Sequence, residues 1–153
     1  MRKSPSPSRA DDSPQSPLEQ ALRALRYRER SAADIDRYLV TRGVGDAERG
    51  EVLETLARTE LVDDRRFAEV RATSLVGRGA GNELIRHDLA RAGVDEELVV
   101  EIVRTLPPES ERAARIVARR GASPKTARYL ARKGFSDDVV RAVVADSHDE
   151  PLG

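Results

Sequence analysis

Three stretches decide the fold: YLVTRGVGDAERGEVLETL at residues 38–56, DLARAGVDEELVVEIVRTL at 88–106, and YLARKGFSDDVVRAVVAD at 129–146. They align on Gly43, Gly93 and Gly134. Four residues before each glycine stands Leu39, Leu89 or Leu130, and one residue after it stands Val44, Val94 or Phe135. An acid follows at Asp46, Glu96 or Asp137, and apolar pairs recur at Val52/Leu53, Ile102/Val103 and Val143/Val144. A spacing of three and four residues marks a helix face, not the alternation of a strand. The pattern predicts a helix that ends at a left-handed glycine, with an apolar residue tucked back beneath it. An acidic start to the next helix follows, where negative charge complements the N-terminal dipole.

A leading helix precedes each stretch, near residues 18–29, 64–77 and 109–120. The first carries Leu18, Ala21, Leu22 and Leu25 on one stripe. The Val-rich segments 98–103 and 139–144 keep helical spacing, so no strand is expected. The expected fold is therefore all-α, with three tandem three-helix repeats forming an elongated, modular array. The repeats are placed at residues 18–60, 61–106 and 107–146. A unit of about 45 residues buries too little surface to be stable alone, so the units must support one another or dock on a partner. Residues 1–17 hold five Ser and four Pro with only Met1 and Ala10 apolar, and are expected to be disordered. The same is expected of residues 147–153.

Composition narrows the function. The chain has 153 residues, 27 Lys+Arg against 27 Asp+Glu, no Cys and 3% aromatics. Without cysteine there is no disulfide, thiolate zinc site or thiol nucleophile, and a cytoplasmic protein is expected. No apolar run approaches the roughly 20 residues of a membrane span. The only histidines are His87, mid-helix between Arg86 and Asp88, and His148 in a polar tail, so no nucleophile–base constellation emerges. Asp63 and Asp64 with Glu69 allow a divalent cation, but Asp immediately before a helix is far more often a cap. Gly77-Arg78-Gly79-Ala80-Gly81 lacks the preceding strand and the Lys-Ser/Thr of a phosphate loop, and reads as a flexible break between helices. No enzyme activity, cofactor or metal is expected.

Charge is distributed unevenly. Residues 1–17 carry +1, 18–60 carry −1, 61–106 carry −2 and 107–153 carry +2. Within the last third, residues 112–133 hold Arg112, Arg115, Arg119, Arg120, Lys125, Arg128, Arg132 and Lys133 with no acid among them. Arg112, Arg115 and Arg119 are expected on one helix face, and Arg128 and Arg132 on another. Helix faces elsewhere in the chain mix signs, so these eight positions are the candidates for contact with an anionic partner. Only Tyr129 interleaves, which disfavours base stacking and leaves phosphate or an acidic protein surface.

A second motif, Asp63-Asp64-x-Arg66-Phe67-Ala68, resembles the signature of the RecX family, bacterial regulators of the RecA recombinase. Leu25, Arg30-Ser31, Leu39 and Gly43 upstream, and Gly79-x-Gly81, Ile85, Leu89 and Gly93-Val94 downstream, fit the same pattern. The resemblance spans about residues 18–145 and departs at Glu60, where the family usually carries glycine before the hydrophobic pair. It implies a monomeric, non-enzymatic regulator, mainly an inhibitor, that binds the RecA filament on single-stranded DNA. Filament extension, ATP hydrolysis, strand exchange and SOS co-protease activity would be restrained, with weak direct DNA contact allowed. The alternative is a stand-alone DNA-binding protein, because three-helix units resemble helix-turn-helix folds.

Overall fold

The glycine turns that organise the sequence share one hydrogen-bond pattern in the computed structural model, which describes residues 15–146. Gly43, Gly93 and Gly134 have φ of 79°, 82° and 90°, a region that a side-chain-bearing residue enters at a cost. Each glycine N–H donates three residues back, to the carbonyls of Val40, Ala90 and Ala131 at 3.0, 2.9 and 3.1 Å. The next N–H, of Val44, Val94 or Phe135, donates to the Leu39, Leu89 or Leu130 carbonyl at 3.1 Å. Otherwise orphaned helix-end carbonyls are thereby satisfied, and the apolar residue is driven under the helix. Val94 and Phe135 are buried in consequence.

Among the described residues there are nine helices and no strand: α1 (Pro17–Leu25), α2 (Ala32–Thr41), α3 (Asp46–Arg58), α4 (Asp64–Gly77), α5 (Asn82–Arg91), α6 (Glu96–Thr105), α7 (Glu109–Arg120), α8 (Pro124–Arg132) and α9 (Asp137–Asp146). Substantial helix–helix contacts fall within the triplets α1–α3, α4–α6 and α7–α9. Each triplet has its own apolar cluster. Ile35, Leu39 and Leu56 are fully buried in the first, Ile85, Leu89 and Ile102 in the second, and Leu130 beside Ala113 in the third. Burying a side chain of this size stabilises by about 1.5–3 kcal/mol, so each triplet rests on a handful of Leu, Ile and Val.

Two local expectations change. Ser16 and Pro17, assigned to the tail by composition, open α1 instead: the Ser16 side chain accepts the Glu19 N–H at 3.1 Å, and Pro17 occupies the first helical turn. Gln15 is exposed outside the helix, and residues 1–14 of the Ser/Pro tail and the C-terminal tail, residues 147–153, lie outside the described residues. Helix α1 stops at Leu25, short of residue 29, because Arg30 Nε donates to the Ala24 carbonyl at 3.0 Å while Glu29 turns away to bind Arg66. The position that departs from the RecX pattern, Glu60, closes the same kind of turn after α3 at φ 58°, the one non-glycine positive φ among the described residues.

Candidate functional site

Orphan donors and acceptors at helix ends join the triplets. The middle helices α8, α5 and α2 meet head to tail, the C-terminal turn of one against the N-terminus of the next. At the first seam the Ser31 hydroxyl, which also caps α2 by accepting the Asp34 N–H, donates to the Ala92 carbonyl at 2.6 Å. At the second, the Gly81 N–H donates to the Lys133 carbonyl at 2.8 Å and the Glu83 N–H to the Gly134 carbonyl at 3.0 Å. Ala92 and Lys133 are equivalent, each preceding the turn glycine. Close approach at the seams demands the absence of a side chain: a Cβ on Gly93 would lie 2.3 Å from the Ala33 Cβ, and one on Gly81 2.4 Å from the Gly134 backbone. Gly77–Gly81 is therefore a tightly specified joint and not a flexible break. Ala80 and Gly81 are buried, and the Ala80 N–H donates to the Leu75 carbonyl.

The signature residues hold the first seam. The Asp63 carboxylate caps α4 by accepting the Arg66 N–H at 3.0 Å, whereas Asp64 Oδ1 reaches across to accept the Ala32 N–H of α2 at 2.8 Å. Both aspartates are thus engaged with helix amides. Arg66 donates through Nε to Glu29 at 2.8 Å and through a terminal nitrogen to the Glu60 carbonyl at 3.0 Å, so it ties the incoming α3 turn to the α1–α2 connection. Phe67 and Ala68 are buried in the second core. Asp64 and Arg66 thus bond across to the first repeat, whereas Asp63, Phe67 and Ala68 serve the second repeat itself.

The basic stretch divides. Arg112 does not face a partner: it is 6% exposed, because the chain from Ala80 to Asn82 lies across the start of α7. Its guanidinium donates to the Ala80 carbonyl at 2.8 Å, the Pro107 carbonyl at 2.9 Å and Asn82 Oδ1. These partners are neutral, and burial pushes the Arg112 pKa below its ordinary value. Arg115, Arg119, Arg120, Lys125, Arg128 and Arg132 are exposed and Lys133 is half-buried. None of the seven has an ion pair among the described residues. Arg120 stacks on Tyr129 with its guanidinium carbon 3.7 Å from the ring centroid.

Arg119, Arg120 and Tyr129 line a cleft of ≈ 380 Å³ at the second seam, together with Gly77, Arg78, Gly79 and Ile116. Arg78 and the glycines come from the α4–α5 joint, so sequence distance concealed their place beside α7; the Gly-Arg-Gly run was the available signal. A larger cleft of ≈ 580 Å³ lies at the first seam, where Arg28, Arg37, Arg71 and Arg91 alternate with Glu29, Asp34 and Asp88. There Arg71 grips Asp88 with two bonds of 2.8 and 2.9 Å, which holds the Asp88 carboxyl below its ordinary range and raises Arg71. His87 is exposed on α5, and His148 lies outside the described residues. No described helix is long and apolar enough to cross a membrane.

These features define a class: a tandem three-helix repeat protein whose units are bonded through helix termini and whose third unit presents unpaired cations. A model of the second three-helix domain of RecX matches residues 63–101, which fall in the α4–α6 unit. The chain is 33% identical over 142 residues to the regulatory protein RecX of Halorhodospira halophila, covering 85% of this chain and 88% of that one. It is 32% identical over 138 residues to the regulatory protein RecX of Chromohalobacter salexigens, covering 84% and 91%. The crystal structure of RecX from Lactobacillus salivarius superposes with a TM-score of 0.74 at 18% identity, over 86% of this chain and 94% of that one, which shows the shared fold. The chain belongs to the RecX family.

Proposed function

We propose that the protein regulates a RecA recombinase, mainly by restraint. It would bind the RecA filament on single-stranded DNA and limit its extension, ATP hydrolysis, strand exchange and SOS co-protease activity. Membership in a family whose relatives are named regulatory proteins, over most of the chain, carries this reading. The architecture supports it: units linked end to end can follow a filament, and the exposed cations of α7 and α8 are unpaired among the described residues, as an anionic partner requires. The regulator acts as a cytoplasmic monomer, with working units at residues 18–60, 61–106 and 107–146, the first extended at its start by the Ser16 cap and Pro17 of α1. Arg115, Arg119, Arg120, Lys125, Arg128, Arg132 and Lys133 face the filament, and Arg112 positions the third unit behind them.

The test is a substoichiometric titration into RecA assembled on single-stranded DNA, with ATP hydrolysis and filament length as readouts. Both should fall as the protein is added, and no change in either at any ratio would sink the proposal. A second reading, a stand-alone DNA-binding protein, is favoured by the unpaired cations alone. It predicts tight, steeply salt-dependent DNA binding in the absence of RecA and no effect on the hydrolysis rate per bound RecA.

A further inference from the structure

The two seams are built alike but charged differently. At the first, three carboxylates share the cleft wall with four arginines. Arg71 is clamped by Asp88, Arg37 is 3.2 Å from Asp34, and Glu29 lies on the same wall. At the second, no carboxylate lines the cleft. Arg78 and Arg119 are exposed, with no ion pair or side-chain hydrogen bond among the described residues, and Arg120 has only the ring of Tyr129. A fourth cation adjoins them, because Lys133 Cε would lie 3.8 Å from a Cβ placed on Gly79. Like charges gathered without a counter-charge repel one another, so an entering anion relieves that repulsion while making its own bonds.

The shape of the recess selects the anion. One guanidinium fork satisfies a planar carboxylate with two parallel bonds. Three arginines lining one recess, from α7 and the α4–α5 joint, carry enough donors for several oxygens of a tetrahedral group, which suits phosphate. Gly77 and Gly79 contribute backbone without side chains to the cleft wall. Beyond the cleft, Arg115, Lys125, Arg128 and Arg132 are exposed and unpaired, more cations than a single phosphate needs. Tyr129 has Arg120 over its ring and is packed against the third core, which disfavours base stacking as the mode of binding.

We propose that the cleft between the second and third repeats is a phosphate site for the sugar–phosphate backbone of a nucleic-acid strand, held without reading its bases. The site gives the basic surface of the regulatory reading its ligand, and the two fail separately: strand binding is measured without RecA, and the hydrolysis titration with it.

The experiment is anisotropy of a labelled thirty-nucleotide oligo-dT against the full chain, from about 50 to about 300 mM salt. The variants are Arg78→Gln/Arg119→Gln/Arg120→Gln and, as a control of equal charge change, Arg23→Gln/Arg58→Gln/Arg104→Gln. All six positions are exposed, and an unchanged thermal melt verifies folding. The cleft variant should bind about 10- to 100-fold more weakly at low salt. It should also lose about 2 from the slope of log affinity against log salt, as expected for three phosphate contacts on a single strand. The control should stay within about twofold at the same salt. Equal affinity and slope for the cleft variant and the unaltered chain would overturn the proposal. Competition by polyglutamate as effective as oligo-dT at equal charge would replace it with an acidic protein partner. Competition by inorganic phosphate at the same phosphate concentration would reduce it to a site for isolated phosphate.

Discussion

Replacing Arg112 with alanine tests whether one side chain orients the third repeat. Arg112 is 6% exposed, and its guanidinium bonds Ala80 and Asn82 of the second repeat and Pro107 of the connection. Its removal leaves the carbonyl of Ala80, a residue 1% exposed, without its charged donor. A buried acceptor deprived of its partner costs about 1–3 kcal/mol. The Pro107 carbonyl, on an exposed residue, can recover a water, but the lost stem adds about 1 kcal/mol of packing. Relief from desolvating the cation offsets part of this, giving a net loss of about 2–4 kcal/mol. Arg112→Lys keeps the charge without the fork and should lose about 1–3 kcal/mol. Urea unfolding measures the total, and amide exchange locates it. Gly81 and Glu83, whose N–H groups bond Lys133 and Gly134 across the same seam, should exchange faster while Val44 in the first repeat does not. A loss below about 0.5 kcal/mol, with protection at Gly81 and Glu83 unchanged, would refute the reasoning.

Three further outcomes follow from the same geometry. Gly43→Ala should cost about 1 kcal/mol for backbone strain alone, because a Cβ there meets nothing within 4 Å; Gly93→Ala should cost at least about 1 kcal/mol more because its Cβ strikes Ala33. Adding Ala33→Gly should recover part of the difference, and equal unfolding midpoints for the two single variants would contradict the seam. Glu60→Gly should stabilise by about 0.5–1 kcal/mol, seen as a raised melting temperature, since a glutamate occupies φ 58°. Finally, the Asp88 carboxyl is held low by Arg71, so its contribution is complete above the unfolded carboxyl pKa of about 4 and is lost as pH falls through the lower folded value. Both partners are partly solvated, which limits the pair to about 1 kcal/mol. Asp88→Asn should therefore flatten stability between about pH 5 and about pH 2, and an unaltered acid limb would show that the pair contributes nothing.

The amino-acid sequence by itself determined the helices, their triple repetition and the turns that end them. Leu89, Gly93 and Val94 specify a helix stop through bonds that span no more than five residues. Spacing and residue type at that range suffice to dictate such structure, which is why α4 and α7 begin and end where their patterns do. The family resemblance was equally legible, yet the sequence did not disclose that Asp64 serves α2, thirty-two residues upstream. Nor did it separate Arg112 from Arg115. Both are arginines one turn apart on α7, and both lie in an unbroken basic run. Only the arrival of Ala80–Asn82 over one of them buries it and leaves the other in water. The tertiary structure likewise brought Arg78 beside Arg119 and set carboxylates among the arginines of one cleft while leaving none on the wall of the other. Helix periodicity and capping are encoded within a few residues. The register of one repeat on the next depends on backbone groups and close approaches that leave no period in the chain, and at those seams the charge of each cleft is decided.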